Sequence, residues 1–239
     1  MHLVLLAAGK GTRLPKEFRD LPKSMVNING KTILNHNLNF YQKFKKKTII
    51  TGYKSQKLNI FIKKNKFNFV KNYEYKKTNM VHSLFKIKKI EANEIIICYS
   101  DIIFDPKIFQ NLIRQKNKNI ILLKKNWLKI WKGRMSYSEI LNDAENIQTR
   151  NNILINIGGP IKKKLPKYQY MGIIKILKKD FFKLKNFYKK NNNKKIDFTS
   201  FINLAIKNDI LKFNISITNK FWYEIDSMND IKFTKKHVW

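Results

Sequence analysis

Short apolar runs alternate with amphipathic stretches through the first half of the chain. Strands are predicted at 2–8 (HLVLLAA), 46–53 (KKTIITGY), 67–72 (FNFVKN), 93–101 (NEIIICYSD) and 119–125 (NIILLKK). The first of them is an almost continuous apolar run, as is typical of a strand buried on both faces. The stretches between them carry apolar residues at helical spacing; they are 33–44, 55–64, 83–90 and 106–116. This alternation predicts an α/β fold with a doubly wound, mostly parallel sheet and helices on both of its faces.

The second half of the chain has a more mixed pattern. The segment 137–159 (YSEILNDAENIQTRNNILINIGG) predicts antiparallel strands with a turn near 150–152. Further strands are expected at 169–177 and 212–219, and helices at 180–190, at 197–208 and after the turn in 222–236. Because no Pro-rich or Ser-rich linker interrupts the chain, we expect one domain over 1–239, with halves 1–125 and 126–239.

The net charge is +34, and nearly all of the positive charge comes from lysine. A charge of this size favours nucleic-acid binding as one alternative. The lysines are scattered, however, and they accompany abundant Asn, Ile, Phe and Tyr, whose codons are AT-rich. We therefore interpret the charge as a solvated surface that attracts anionic substrates.

Three sequence features bear on the cellular location. The single cysteine, Cys98, lies in an apolar run and is expected in the core of a protein from a reducing compartment. The N-terminus lacks a basic leader, and no apolar stretch approaches the roughly 20 residues of a membrane span. We expect a cytoplasmic protein without membrane or nucleic-acid partners.

A glycine-rich loop follows the first strand, in the segment LAAGKGTRL (6–14). Backbone N–H groups in such a turn can bind phosphate oxygens, and Gly9 and Gly11 leave their approach unblocked. Lys10, Arg13 and Lys23 supply positive charge for a polyphosphate. The loop lacks the Gly-Lys-Ser/Thr ending of a P-loop, and a plain connection between strand and helix is the alternative.

Two acidic residues follow strand-like segments far apart in the chain: Asp101 in YSDIIF and Asp226 in YEIDSMND. Carboxylates with substrate phosphates are the usual ligands of Mg²⁺. The structural alternative for Asp101 is a strand-end turn or a helix cap. Asp230 and Glu224 compete with Asp226 for the second metal-binding position.

These motifs together resemble the nucleotidyltransferase signature of the sugar-nucleotide pyrophosphorylase superfamily, where the loop precedes PKSM (22–25). Further segments resemble its phosphocholine and phosphonate cytidylyltransferase branch: 72–84 (NYEYKKTNMVHSL), 126–134 with 142–146 (NWLKIWKGR and NDAEN), 169–176 (QYMGIIKI) and 196–202 (IDFTSFI). They cover nearly the whole chain in order. The spacing in LPKEFRDLPK departs from some relatives and leaves Arg19 without an assigned role.

The resemblance implies a Rossmann-like fold of the nucleotide-diphospho-sugar transferase type, with a nucleotide-binding half (1–125) and an acceptor-binding half (126–239). It implies that CTP is bound by the loop residues Leu6, Ala7, Ala8, Gly9, Gly11 and Thr12. It also implies that Lys10, Arg13 and Lys23 act in catalysis. Thr78, Asn79 and Ser100 would also bind the nucleotide. Asp101 and Asp226 would hold Mg²⁺, the expected cofactor.

The implied reaction transfers CMP from CTP to a small phosphate or phosphonate, such as phosphocholine, 2-aminoethylphosphonate or phosphoglutamine, for decoration of a surface polysaccharide or lipid. Trp127, Trp131 and Trp222 could present their faces to an ammonium group, with Tyr170, Asp197 and Glu224 as further acceptor-binding residues.

Each acceptor assignment has a structural alternative. Trp127 and Trp131 are four residues apart and could pack one helix face into the core, and Asp197 could cap a helix. A sugar-1-phosphate nucleotidyltransferase is the alternative enzyme. The acceptor, the strictness for CTP and the oligomeric state are left open.

Overall fold

Nine strands form the main sheet of the protein. The computed structural model describes residues 1–161 and 164–238. The described strands, in chain order, are β1 His2–Ala7, β2 Asn27–Ile28, β3 Lys31–Thr32, β4 Lys46–Thr51, β5 Asn68–Lys71, β6 Glu94–Tyr99, β7 Ile102–Phe104, β8 Ile120–Lys124, β9 Ile147–Arg150, β10 Ile153–Ile157, β11 Gln169–Leu177, β12 Asn214–Thr218 and β13 Trp222–Glu224.

Helices connect most of these strands. In chain order they are α1 Ile33–His36, α2 Leu38–Tyr41, α3 Asn59–Lys64, α4 Met80–Phe85, α5 Ile108–Arg114, α6 Trp127–Lys132, α7 Tyr137–Asp143, α8 Lys178–Asn191, α9 Phe198–Lys207 and α10 Met228–His237. Short 3₁₀ turns occur at Lys16–Phe18, Lys23–Met25 and Ser55–Leu58.

The order of strands in the main sheet is β5-β4-β1-β6-β11-β8-β12-β10-β9. Strands β11 and β10 run antiparallel to their neighbours, and the other seven share one direction. The register around β1 places Leu5 opposite Ile49 of β4 and Cys98 of β6. The prediction of a mixed, mostly parallel sheet is confirmed.

Alternate residues of β1 point into two separate cores. Val4 belongs to a core on one face, where Phe85 of α4, Phe181 of α8 and Phe201 of α9 pack. Leu5 belongs to a core on the opposite face, which is filled from helices by Phe40, Phe61 and Phe109. Because a β-strand alternates its side chains, a continuously apolar strand requires helices on both faces, and the structure confirms this prediction.

The segment 137–159 differs from its prediction in its first part. Residues 137–143 form α7 instead of a strand, because Ser136 caps the helix and Glu139 completes a capping box. Strands β9 and β10 follow as the expected hairpin, and Asn151 and Asn152 form its turn with φ of 50° and 60°.

Two predicted helices are also shorter than expected. The segment 33–44 breaks into α1 and α2 at Asn37, whose side-chain amide donates a hydrogen bond to the Ile102 carbonyl at 2.7 Å. The helix expected at 83–90 occupies Met80–Phe85, after an N-cap at Asn79.

The fold brings the segments that carry predicted site residues together at one end of the strands of the main sheet. The carboxyl ends of β1 and β6 lie there, beside the start of the antiparallel β11. Strand β13 pairs with β7, so the segment after Trp222 returns to the residues that follow β6. Among the described helices, none is long and apolar enough to cross a bilayer.

Candidate active site

The glycine-rich loop leaves β1 and turns sharply at Gly11. The φ of Gly11 is +64°, a conformation that side chains disfavour, and a Cβ there would lie 3.4 Å from Lys23 Cβ. Arg19 stabilises this turn, because its Nε donates to the Leu14 carbonyl at 2.9 Å and its Nη2 to the Thr12 carbonyl at 3.1 Å. Arg19, which had no role at the level of sequence, thus holds the loop in shape.

The loop forms one wall of a cavity of about 300 Å³, called the first cavity here. The predicted nucleotide-binding and metal-binding residues that line it are Leu6, Ala7, Ala8, Gly9, Gly11, Thr12, Arg13, Lys23, Thr78, Asn79, Ser100, Asp101 and Asp226. Lys10 is exposed and is not among the lining residues. The catalytic role expected of Lys10 stays a prediction.

Three carboxylates meet at the end of the first cavity. Oxygen atoms of Asp101, Glu224 and Asp226 all lie within 4.8 Å of one another. The pairing of β7 with β13 and a hydrogen bond of 3.0 Å from the Ile225 amide to the Asp101 carbonyl bring these distant segments together. Asp101 Oδ1 is buried and has no hydrogen-bond partner among the described residues. Such an arrangement of oxygens fits a divalent cation.

Two basic side chains face this carboxylate cluster. Lys23 Nζ lies 2.7 Å from Asp101 Oδ2 and also contacts Asp226 Oδ1. Arg13 Nη2 lies 2.8 Å from Asp226 Oδ2. Burial alone would lower the pKa of the Lys23 ammonium, but the charges of Asp101 and Asp226 outweigh it, so the pKa is raised and the ammonium stays charged.

Glu224 has a different electrostatic environment. Burial, with the nearby charges of Asp226 and Asp101, holds its pKa well above the ordinary value of a glutamate. Glu224 lines both the first cavity and a second one, so it stands between them. It therefore belongs to the carboxylate cluster as well as to the predicted acceptor region.

Asp230, a sequence-level rival of Asp226, has a structural role. Its carboxylate accepts hydrogen bonds from the Ser227 amide at 2.8 Å and the Asp226 amide at 2.9 Å, and it forms a buried ion pair with Arg134. Asp230 thus completes the capping box of α10 and orients the turn that carries Asp226.

The second cavity, of about 200 Å³, adjoins the first and shares Arg13, Met80, Tyr99, Glu224 and Asp226 with it. Of the predicted acceptor residues, those that line it are Trp131, Tyr170, Asp197 and Glu224. It is also lined by residues that had no assigned site role, namely Asp143, Glu145, Gln169, Gly172, Phe198 and Thr199.

Trp127 and Trp222 do not take part in this cavity, which corrects their assignment to an ammonium site. Trp127 is 2% exposed, packs edge-on against Trp131 and donates its Nε1–H to the Pro166 carbonyl at 3.0 Å. Trp222 is 1% exposed and lies in the core beneath the sheet. For Trp127 the alternative of core packing holds, while Trp131 both packs and lines the cavity.

Asp197 has the structural role considered for it, and its position leaves the predicted acceptor-binding role open. Its carboxylate caps α9 by accepting a hydrogen bond of 2.8 Å from the Ser200 amide, and it lines the second cavity.

Glu145 lies near Asp197, and the hydroxyl of Thr199 is within hydrogen-bond distance of both carboxylates. Burial, opposed by the Thr199 hydrogen bond and assisted by the charges of Asp197 and Asp143, raises the pKa of Glu145 to about 7. Both Asp143 and Glu145 belong to the NDAEN segment, whose two acids were the signal for them in the sequence.

Comparisons with known proteins agree with this architecture. The family model of the MobA-like NTP transferase domain matches residues 3–140. CTP:phosphoglutamine cytidylyltransferase from Campylobacter jejuni is 29% identical, over 97% of this chain and 98% of its own length.

Solved structures share the fold. That of CTP:phosphocholine cytidylyltransferase from Streptococcus pneumoniae superposes with a TM-score of 0.78, at 19% identity, covering 100% of this chain and 99% of that one. The inositol-1-phosphate CTP transferase from T. maritima gives a TM-score of 0.77, at 16% identity, with coverage of 98% and 95%.

These matches confirm the resemblance drawn from the sequence motifs. The glycine-rich loop, the first-cavity walls from β1 and β6, and Asp101 all lie inside the matched range, whereas Glu224 and Asp226 lie beyond it. The chain therefore belongs to the MobA-like NTP transferase domain family and is a nucleotidyltransferase.

Proposed function

We propose that this nucleotidyltransferase moves CMP from CTP to a small phosphate or phosphonate that carries an ammonium group, with release of pyrophosphate. The main observation in support of this proposal is that the two cavities meet at the carboxylate cluster, where both are lined by Glu224 and Asp226. A nucleotide in the first cavity and an acceptor in the second would bring their reacting groups together there. The named activities of the Campylobacter and Streptococcus relatives support CTP and a phosphate-bearing acceptor.

The nucleotide would lie along the loop. Backbone N–H groups between Gly9 and Arg13 would bind its phosphates, since the loop is open at Gly9, where a Cβ would have nothing within 4 Å. Thr78 and Asn79 line the opposite wall and would contact the base. Arg13 and Lys23 are the basic side chains of this cavity, so they would balance the charge of the triphosphate.

Asp101 and Asp226, with Glu224 adjacent, would hold Mg²⁺. The unpartnered Asp101 Oδ1 and the spacing of the three carboxylates fit that ion. A bound Mg²⁺ would neutralise charge on the triphosphate and on the departing pyrophosphate. Lys23 pairs with both aspartates in this structure. When Mg²⁺ binds to the aspartates instead, the Lys23 ammonium would be free to contact the substrate phosphates.

In the reaction, an acceptor phosphate oxygen would attack the α-phosphorus in line. One P–O bond forms as the bond between the α-phosphorus and the bridging oxygen breaks, and pyrophosphate carries away that electron pair. The nucleophile is already anionic, so no general base is needed, and the residues act by positioning and charge neutralisation. The CDP-linked product would then serve a transferase that decorates a surface polysaccharide or lipid.

The test is pyrophosphate release with each of the four NTPs, in Mg²⁺, against a panel of acceptors. The panel contains phosphoethanolamine, phosphocholine, 2-aminoethylphosphonate, phosphoglutamine and glucose 1-phosphate. We expect turnover with CTP and an ammonium-bearing acceptor, and loss of turnover in Asp101→Asn, which keeps the side-chain shape but removes a charge. Asp105→Asn is the matched control, because Asp105 is not among the lining residues of the first cavity and its carboxylate accepts a hydrogen bond from the Lys107 amide at 2.8 Å.

Two outcomes would contradict the proposal. Turnover confined to glucose 1-phosphate would mean that the second cavity binds sugar hydroxyls. The absence of turnover with every pair would remove the assigned substrates altogether, and steep salt dependence of DNA or RNA binding would then favour the nucleic-acid alternative.

A further inference from the structure

Arg134 is a buried basic residue close to the carboxylate cluster. Its side chain is 4% exposed, and it follows the end of α6. It is not among the described residues that line either cavity. Because the burial of a charge costs free energy, a guanidinium withdrawn from solvent requires specific partners. The partners of Arg134 lie in the turn that carries Asp226.

The guanidinium binds the turn between β13 and α10 at two points. Arg134 Nη1 donates a hydrogen bond to the Glu224 carbonyl at 3.4 Å and forms the ion pair with Asp230. The other carboxylate oxygen of Asp230 accepts hydrogen bonds from the amides of Asp226 at 2.9 Å and Ser227 at 2.8 Å. One side chain therefore fixes the backbone of Glu224 and, through Asp230, the backbone of Asp226.

Arg134 is itself held in place by its neighbours. Its guanidinium carbon lies 5.1 Å from the centroid of the Trp131 ring, and its amide donates to the Trp131 carbonyl at 3.0 Å. A Cβ at the preceding Gly133 would clash with the Phe233 ring, so this segment packs directly against α10. The guanidinium therefore has a fixed position from which it can orient the turn.

Stability alone does not account for this ion pair. Replacement of a buried ion pair by uncharged residues is often neutral or even stabilising, because desolvation offsets the attraction between the charges. Arg134 Nε is also buried without a hydrogen-bond partner among the described residues. Metal ligands, in contrast, depend strongly on the residues that orient them, and loss of such a residue typically lowers metal affinity by about 10- to 100-fold.

We propose that Arg134 is a positioning residue, which holds the turn carrying Glu224 and Asp226 in the geometry that binds a divalent cation. This inference rests on the proposed function, which assigns Mg²⁺ to these carboxylates. Arg134 acts through the Asp230 carboxylate and the Glu224 carbonyl, so its effect should be visible in metal binding before any substrate is added.

The experiment measures the dissociation constant of Mn²⁺ by electron paramagnetic resonance, without nucleotide or acceptor. Mn²⁺ is the probe because it takes the oxygen ligands that suit Mg²⁺. We expect Arg134→Met to raise Kd by about tenfold or more. Removal of a nearby positive charge would by itself strengthen cation binding, so a weaker affinity reports the loss of geometry. Asp101→Asn should also weaken binding, which identifies the site as the carboxylate cluster.

A double variant, Arg134→Met with Asp230→Asn, separates positioning from charge and from folding. It leaves no carboxylate unpaired and does not alter the net charge, and the new amide oxygen can still accept from the Ser227 amide. We therefore expect it to fold even where Arg134→Met alone does not. Its Kd for Mn²⁺ should be raised about tenfold or more as well.

Lys175→Met is the matched control for loss of a buried ion pair. The Lys175 side chain is 0% exposed and its Nζ lies 3.0 Å from Glu94 Oε1, at the end of β6 opposite to Asp101. This variant should melt at a lower temperature but bind Mn²⁺ with the Kd of the wild type. Because all binding is measured below the melting temperature of each variant, a merely structural role of Arg134 would leave Kd unchanged too.

Three results would overturn the inference. Wild-type Kd values for Mn²⁺ in the folded Arg134 variants would refute it while the proposed function stands. A rise of Kd in Lys175→Met equal to theirs would also refute it, because any loss of stability would then weaken the site. If the wild type binds no Mn²⁺, or if Asp101→Asn binds it unchanged, the metal assignment of the proposed function fails, and the inference fails with it.

Discussion

Arg13 in the glycine-rich loop and Asp143 at the end of α7 form a salt bridge, with 3.1 Å between Nη1 and Oδ1, although 130 positions separate them. The other terminal nitrogen of Arg13 pairs with Asp226 at 2.8 Å. One guanidinium thus connects the wall of the first cavity with that of the second. Because its side chain is 58% exposed, the pair adds little to stability.

Replacing this guanidinium should affect the reaction far more than the fold. We expect Arg13→Met to lower kcat by about 100-fold, the size seen when a group that stabilises developing charge is removed. The melting temperature should stay close to that of the wild type. Steady-state pyrophosphate release and thermal melting measure the two effects, with the exposed Arg150→Met as control. An unchanged kcat would show that Arg13 has no part in catalysis.

The Lys23 ammonium neutralises two largely buried carboxylates when no divalent cation is bound. Its side chain is 14% exposed, and those of Asp101 and Asp226 are 21% and 11% exposed. Lys23→Met should therefore destabilise the metal-free protein by about 3 kcal/mol, because it leaves charge unpaired. Mg²⁺ or Mn²⁺ should raise its melting temperature more than that of the wild type.

The control for this prediction is Lys54→Met, which removes an exposed pair with Asp20. Chemical denaturation in EDTA measures the free energy of unfolding, and melting over a range of metal concentrations measures the recovery. Equal stabilisation of the variant and the wild type by the cation would mean that Lys23 and the metal do not compete for the aspartates.

Glu145 should make recognition of a cationic acceptor depend on pH. Its pKa is raised to about 7 by burial, with Asp197 and Asp143 as further acidic neighbours. Below that pH the side chain is mostly neutral, and above it the carboxylate is available to a cation. We expect the ratio of kcat/KM for phosphoethanolamine to that for 2-hydroxyethyl phosphate to rise about tenfold between pH 6 and pH 8, the range over which one such group titrates.

The ratio removes the titration of the acceptor phosphate, which both compounds share. Other groups facing Glu145 are Thr199, Gln169, Tyr99 and Tyr170, and the tyrosines stay neutral because burial raises their pKa values. In Glu145→Gln the ratio should be low at every pH. A ratio that still rises in this variant would assign the titration to a different group.

Gly172 permits the close contact between β11 and Tyr99. A Cβ at this position would lie 2.6 Å from Tyr99 Cδ2, and φ is +70°. Gly172→Ala should cost about 2–4 kcal/mol, since it adds a steric clash in a packed region to the strain of the backbone. Gly30→Ala is the control, because Gly30 has φ of +83° with nothing within 4 Å of the added Cβ. Denaturant unfolding of both variants separates the clash from the strain, and equal losses would exclude the clash.

Much of the fold followed from local sequence patterns. The continuous apolar character of 2–8 and 93–101 predicted buried parallel strands, and the neighbouring strands of β1 confirm it. The prediction of a strand at 137–143 was wrong, because the spacing of the apolar residues there was interpreted as that of a strand. The Ser136 and Glu139 pair of a capping box, visible in the sequence, was the better guide.

The site could be predicted only in part. The loop and the two aspartates are recognisable from their motifs, and the structure brings Asp101 and Asp226 together. The packing of α6 and β13 decides which tryptophans line the second cavity, and the spacing of residues in the sequence does not encode that packing. Trp127 and Trp131 belong to one helix, yet Trp131 lines the cavity and Trp127 does not. Arg19 contributes through hydrogen bonds to two nearby carbonyls of its own loop, whose turn geometry the sequence does not show, and Glu145 contributes through a contact with the distant Thr199.

Strand β11 lies between β6 and β8 at the middle of the sheet. It therefore separates β8, the last strand of residues 1–125, from the other main-sheet strands of these residues. A chain cut at the exposed link between Lys125 and Asn126 would therefore give a first fragment whose β8 lacks both of its neighbours, β11 and β12. Neither fragment would have a complete sheet of its own. When the two fragments are mixed, they would associate and complete the sheet, and the recovery of enzyme activity would measure that association.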